Sequence, residues 1–280
     1  MKLITWNIQW GLGVDKRLDL ARIVAHARSM ADFDVLCLQE VADNFPEAEG
    51  GVPGNQFAEL ARLLPGYTAI EGPGVDVPDD QGRRKRFGNM ILSRYPVGRV
   101  LRHAAPWVTD GTRSMPRLVL EAVVRAPWGP LRALTSHFEY FSSPQRAAQV
   151  ETVRRAVREG RMRSLLAPVE GWGPFAPSAE TASAIFVADT NMTVDDPLYG
   201  RLVDPADDGT PGLVDAWSAL NPGRSHPMSF CIYERRYGEP HCCDFAFVTP
   251  DLQPRLRLVF YDTQTQVSDH QPVLVELADD

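Results

Sequence analysis

Near the end of the chain an acid and an imidazole stand side by side, Asp269 and His270 in VSDHQPV, just ahead of an apolar run containing Leu274, Val275 and Leu277. The same juxtaposition recurs elsewhere. Asn7 closes TWN, Glu40 closes LCLQE, His137 closes LTSH, and Asp189 and Asn191 close FVADTN. Each is a polar side chain placed directly after an apolar run, where packing has least use for it. Singly, such residues are most often turn formers or helix caps. As a set they are chemically matched. If Glu40, Asp189 and Asp269 converge, each carboxylate pair about 4 Å apart repels by roughly 4 kcal/mol at an effective dielectric near 20. Such a site needs a cation. Carboxylate oxygens and the Asn7 amide suit a hard ion, magnesium or manganese, better than zinc.

These residues can meet only if the strands that carry them end on one edge. LITWNIQW predicts a strand, DKRLDLARIVAHARSM a helix with Leu20, Ile23, Val24 and Ala27 on one face, and FDVLCLQEV a second strand. That crossover unit predicts a parallel pair. QFAELARLL predicts another helix, GNMILSRYPVGRVL two strands around a Tyr-Pro turn, and RLVLEAVVRAPWGPLRALTSHF a hairpin. Ala147, Val150, Val153 and Val157 mark a helix from Pro144 to about Gly160, before the strand ASAIFVADTN. After a loop-rich stretch the chain closes with CDFAFVTP, LRLVFYD and PVLVEL. The pattern predicts an α/β fold, two mixed β-sheets packed face to face with helices outside. In crossover units the carboxyl ends of parallel strands share an edge, and ligands bind there.

At 280 residues and 44% hydrophobic composition the chain can bury one large core, so a single domain over 1–280 is expected. No run reaches the roughly 20 apolar residues of a membrane helix, and no leader pattern opens the sequence. A soluble, cytoplasmic monomer is the expectation. Four cysteines form no disulfide framework. Cys231, His241, Cys242 and Cys243 are spaced closely enough for zinc, but adjacent residues of a strand point to opposite faces, which spoils the ligand geometry. A net charge of −7 argues against a broad electrostatic grip on nucleic acid and leaves room for a local basic patch. RRKRFGN, residues 83–89, is such a patch. Its bland reading is a solvated loop. Its functional reading is a phosphate clamp made by Arg83, Arg84 and Arg86, with Asn89 near His137. The Pro-rich connection from Leu165 to Thr181 is expected on the opposite edge.

In order, TWNIQW, LCLQEV, GNMILSRYPV, TSHFEYFSSPQRAAQ, VADTNM, CDFAFVTP and SDHQPV resemble the endonuclease/exonuclease/phosphatase superfamily of metal-dependent phosphoesterases, from Ile4 to Leu277. The resemblance implies a four-layered α/β sandwich. It also implies roles: Asn7, Glu40 and Asp269 on the metal, Asp189 orienting or deprotonating the attacking water, and Asn191 holding Asp189 or a phosphoryl oxygen. His270 would contact the scissile phosphate, with Asp244 fixing its tautomer from behind and keeping it protonated. His137 resembles a second phosphate-contacting histidine of the deoxyribonuclease and sphingomyelinase branches. Ala188 stands where the family usually has the Gly of its GD-x-N motif. The expected activity is magnesium- or manganese-dependent hydrolysis of a phosphodiester, nucleic acid among the candidate substrates. Its rivals are a small-molecule or lipid phosphatase of the same fold and an inactive binding module.

Overall fold

The computed structural model describes residues 1–167 and 170–279. In chain order the strands and helices are β1 (Lys2–Asn7), α1 (Leu20–Met30), β2 (Val35–Phe45), β3 (Val52–Asn55), α2 (Gln56–Leu63), β4 (Thr68–Pro78), β5 (Arg84–Ser93), β6 (Val97–Ala104), β7 (Leu118–Ala126) and β8 (Gly129–His137). They continue as α3 (Ser143–Ser164), β9 (Ala184–Asp189), α4 (Pro197–Val203), β10 (Val214–Asp215), α5 (Ala216–Leu220), β11 (Asp244–Val248), β12 (Leu256–Tyr261) and β13 (Val273–Leu277). Each of these five α-helices starts on a side-chain cap, Asp19, Asn55, Ser142, Asp196 and Asp215, each accepting from a backbone N–H of the first turn. The Asp19 cap is why α1 begins at Leu20 rather than at Asp15, where the apolar spacing alone let it begin.

Two mixed sheets result. The first runs β12-β13-β1-β2-β5-β4, with β3 beside β2, and the second runs β10-β11-β9-β8-β7-β6. Among the described residues only β1–β2 and β8–β9 are parallel, one pair in the middle of each sheet. The strands on either side of Tyr95-Pro96 do not pair with each other. β5 belongs to the first sheet and β6 to the second, so this corner carries the chain across the sandwich.

Alternation along the strands sorts residues into layers. Leu3, Val35, Cys37 and Ile91 of the first sheet meet Leu120, Ala122, Leu131, Ala133 and Val187 of the second in the inner layer. Ile4, Trp6, Leu36 and Leu38 face outward and are covered by Ile23, Val24 and Ala27 of α1 and Phe57 and Leu60 of α2. On the far side Phe186 stacks between Phe138 and Phe247, and Tyr199 of α4 closes over Phe245 and Phe247. Helices thus lie outside both sheets.

Beneath α3 the outer face of the second sheet buries charge. Arg132 donates two hydrogen bonds to Glu121 at 2.7 and 2.9 Å, and His103 meets the same carboxylate at 2.8 Å. Gly160 makes room for the guanidinium, because a Cβ there would sit on top of it. Burial pushes Glu121 upward, yet Arg132 and His103 outweigh it and hold the carboxyl down at about 2. Stability from this group is fully present above the ordinary value of 4.5 and is lost as pH falls from there toward 2. Glu121→Gln is expected to cost about 3 kcal/mol at pH 7 and to flatten the loss of stability on acidification. Urea unfolding at pH 7 and pH 3 checks this. An unchanged acid profile would show that the network does not couple to folding.

Candidate active site

The inner layer changes character along its length. Past Cys37 and Ala133 it turns polar at Gln39, whose amide donates to Thr5 of its own sheet at 3.0 Å and to Thr135 of the other at 2.8 Å. One or two residues further along lie the strand ends that carry chemistry. His137 and Asp189 are register partners on β8 and β9, and Asp244 is paired with Asp189 across β9 and β11. These three form a row across the second sheet, facing the first.

From the first sheet come Asn7, at the end of β1, and Glu40. Glu40 is placed by a bulge. Leu38 pairs with Met90 and Val41 with Gly88, so Gln39 and Glu40 together oppose Asn89. At the bulge Glu40 adopts a left-handed backbone, φ 61°. Asn191 does the same at φ 49°, and so do Gln9 and Trp10. Non-glycine residues at positive φ are uncommon, and they collect where side chains must be aimed rather than packed.

The side chains interlock. The Asn7 amide nitrogen donates to Glu40 at 3.2 Å and to Asp189 at 2.9 Å, while its oxygen accepts from the Gln9 backbone. Asp189 also accepts from the Asn191 N–H at 3.0 Å. The Asn191 amide donates to the Phe138 carbonyl and lies 3.1 Å from Nε2 of His137. His270 is held on every side. Nδ1 is 2.9 Å from Asp244, Trp6 donates to its carbonyl, Phe230 stacks on its ring at 4.2 Å, and Nε2 points toward Asp189, 3.7 Å away. Ser229 donates to the Asp244 oxygen that also faces His270.

Burial works against a charge on His270, but Asp244 and Asp189 outweigh it and raise the imidazole to about 10. Burial pushes Asp244 upward too. With Ser229 and the imidazole donating to its carboxylate, the proton of the pair rests on His270. His137 goes the other way. Burial and the nearby Arg117 guanidinium push it down to about 3, so it is neutral, and its Nδ1 is buried without a hydrogen-bond partner, 3.7 Å from Glu40. Burial lifts Asp189, but His270, the Asn7 amide and the Asn191 N–H outweigh it and keep it ionised. Burial and Asp269 push Glu40 up to about 7, and burial raises Asp269. Among the described residues neither Glu40 nor Asp269 has a lysine or arginine within ion-pairing reach.

That uncompensated pair fits a hard cation, because its donors are carboxylate oxygens facing one cleft. A different trio, Asp189, Cys243 and His270, has potential ligand atoms within 4.8 Å of one another. It is a poor seat for an ion. His270 holds a proton, and burial raises the Cys243 thiol well above its ordinary value. All four cysteines are free and buried, and the His241 ring pairs with the Glu239 carbonyl, so the zinc-like cluster of the sequence serves packing.

The cleft measures about 230 Å³ and is lined by Glu40, Asp269, His270, Asp189, Asn191 and His137, together with residues that strand-end reasoning passed over. Chief among these are Arg113 and Arg117, from the segment ahead of β7, and an aromatic rim. Arg117 has a buried Nε without a partner and only a long contact, 3.6 Å, to Glu139. Its signal in the sequence is slight, a lone arginine before an apolar strand. A slightly larger hollow of about 270 Å³ lies between α3 and α4, but its arginines are tied to Glu151, Asp208 and carbonyl oxygens.

The basic run lies elsewhere. Arg83 pairs with Asp79, Arg84 with Asp76, Lys85 with Glu47, and Arg86 with both Asp43 and Glu71, along the β4–β5 hairpin and outside the cleft lining. The structure brings no free charge from this run to the site. Replacing Arg83 and Arg84 together by Gln is expected to move KM for a polyanionic strand less than twofold. A tenfold rise would restore the clamp. Asn89 is buried, donates to the Leu118 carbonyl, and shares a small cavity with His137. The Pro-rich connection ends just before Ala184, at the start of β9 and so away from Asp189, with residues 168 and 169 outside those described.

Back-to-back mixed sheets with imidazoles and carboxylates at one end of the inner layer define a class of hydrolases. A sequence model of the Endonuclease/Exonuclease/phosphatase family matches residues 4–270, and the chain belongs to that family. Similar solved structures include an endonuclease/exonuclease/phosphatase from Beutenbergia cavernae DSM 12333, 22% identical over 99% of this chain and 72% of that one, TM-score 0.65. The mannosyl-6-phosphatase of Bacteroides thetaiotaomicron VPI-5482 is 17% identical over 99% of both chains, TM-score 0.62. D. rerio TDP2 complexed with single strand DNA product is 18% identical over 99% of this chain and 98% of that one, TM-score 0.64. At such identities the likeness speaks for the fold. No curated protein matches by sequence. No helix among the described residues is long and apolar enough to cross a membrane.

Proposed function

We propose that the chain is a divalent-metal-dependent phosphodiesterase that hydrolyses its substrate by in-line attack of water. The carrying observation is the buried His270–Asp244 pair, an imidazole held through Nδ1 whose Nε2 is turned toward Asp189 in the cleft that Glu40 and Asp269 also line. A donor held in this way serves a developing negative charge, because it is in place before the charge appears. Glu40 and Asp269, with Asn7 beside them, would hold magnesium or manganese. Bound there, the ion supplies charge neutralisation at a phosphoryl oxygen.

The chain's own residues do the rest. Asp189, ionised and fixed by Asn7 and the Asn191 N–H, orients the attacking water and takes its proton as the water oxygen bonds to phosphorus, while the ester P–O bond in line opposite breaks and the departing oxygen takes a proton from solvent. His270 donates from Nε2 to a phosphoryl oxygen. Neutral His137 offers its unpartnered Nδ1 to the substrate, and Arg117 adds a fixed positive charge on the same wall. A diester carries one negative charge where a monoester carries nearly two, and a cleft already holding three carboxylates favours the former.

The test is a substrate panel in magnesium or manganese, comparing bis-(p-nitrophenyl) phosphate with p-nitrophenyl phosphate. Turnover of the diester at least tenfold faster is expected. Preference for the monoester would move the reading to a small-molecule phosphatase.

A further inference from the structure

The cleft has an aromatic lip that the proposed chemistry does not use. Tyr140, Phe141 and Tyr237 are 40, 55 and 45% exposed, and all three line the same cleft as His270. They come from two segments nearly a hundred residues apart, tied together by a hydrogen bond from the Tyr140 hydroxyl to the Tyr237 carbonyl. From the buried imidazole outward the rings form a continuous series. His270 stacks on Phe230, Phe230 stacks on Tyr237 at 5.9 Å, Tyr237 meets Tyr140 at 6.5 Å, and Tyr140 meets Phe141 edge-on at 4.9 Å. The Arg113 guanidinium lies 5.7 Å from the Phe141 ring centre, and Trp107 stands exposed on the same preceding loop.

Three large rings left in water at the mouth of one cleft mark a binding surface, since apolar groups gathered this closely are otherwise buried. Ring faces next to a guanidinium suit a flat, polarisable partner. They suit a flexible acyl chain less, because the apolar lining here is aromatic with the single exception of Met115. Charge points the same way. The chain carries −7 overall, and the dense basic run is committed to neighbouring carboxylates, so a grip along a phosphate backbone is weak. Stacking is the remaining source of sequence-independent affinity.

We infer that the lip formed by Tyr140, Phe141 and Tyr237 stacks the unpaired bases of a single-stranded nucleotide chain whose phosphodiester lies at His270. This rests on the phosphodiesterase reading and adds the substrate class to it. In a duplex the base faces are already stacked and unavailable, so single strands are favoured.

The experiment compares a short oligothymidylate with an abasic strand of equal length, the same phosphodiesters without bases. The wild-type enzyme is expected to favour the base-bearing strand in kcat/KM by tenfold or more. Phe141→Ala and Tyr237→Ala should each shrink that ratio about fivefold or more, down toward one, as expected for loss of one stacking partner. A second readout is independent of turnover. An oligonucleotide carrying 2-aminopurine, mixed with the protein in chelator, should lose fluorescence on binding, and the double variant combining Phe141→Ala with Tyr237→Ala should abolish that loss. Equal kcat/KM on the two strands overturns the inference while leaving phosphodiester hydrolysis in place. Hydrolysis of neither strand overturns the phosphodiesterase reading, and the fluorescence still decides the stacking. Quenching that persists in the double variant, or turnover that instead rises on phosphatidylcholine vesicles through Phe141, overturns the inference as well.

Discussion

Replacing His270 by alanine is expected to lower kcat on a phosphodiester about a hundredfold or more with little change in KM. The interaction strengthens as charge develops on the phosphoryl oxygen, so its loss falls on the transition state rather than on binding. Asp244→Asn is expected to do part of the same damage without touching substrate. It removes the carboxylate 2.9 Å from Nδ1 and permits the wrong tautomer, while Phe230 still stacks on the ring and Trp6 still holds the His270 carbonyl. Because the two residues act as one unit, the double variant should be scarcely slower than His270→Ala alone. Steady-state kinetics on the four proteins decides it. Losses that simply multiply would mean that Asp244 does not work through His270.

Chelation is expected to abolish phosphodiester hydrolysis, and magnesium or manganese to restore it. Among the described residues Glu40 and Asp269 face one cleft with no lysine or arginine within ion-pairing reach, and burial, with Asp269 adding to it, pushes Glu40 up to about 7. Glu40→Gln keeps the shape and removes one charge, so half-saturation by the metal should move up by about tenfold or more. A metal titration followed by activity and, separately, by calorimetry checks both halves. Full activity in excess chelator would remove the cation from the mechanism, and an unchanged titration would move the ligand away from Glu40.

The residues at the ends of strands were legible because two physical rules select them. Parallel strands end on one edge, and a polar group after an apolar run has no packing role, so Asn7, His137 and Asp189 could be placed together from spacing alone. Glu40 was legible as a residue type but not as a geometry, since nothing in LCLQEV marks a bulge with a left-handed backbone. The pairing of Asp244 with His270 came from the family resemblance and corresponds to a hydrogen bond in the structure. What stayed hidden depends on partners distant in sequence. Arg86 finds Asp43 across two strands, and Arg84 finds Asp76 across a hairpin, so a run that reads as free positive charge is locally neutral. Tyr95-Pro96 reads as an ordinary turn, and only the packing of the whole sandwich sends its two strands into different sheets. The aromatic lip escaped for the same reason, because Tyr140 and Tyr237 share no periodicity.

Gln39 reaches across the inner layer to a threonine of each sheet, and one step beyond it the two sheets contribute opposite walls of the cleft. Asn7 and Glu40 belong to one sheet, His137, Asp189 and Asp244 to the other. His270, on the segment leading into β13, is fastened to the opposite sheet through Asp244. The cleft therefore acts as a caliper on the sandwich. A relative slide of the sheets by a fraction of a hydrogen-bond length would leave every strand paired and every helix intact, yet pull donor and acceptors out of line. Activity reports the registration of two rigid slabs, a quantity to which spectroscopic measures of secondary structure are blind.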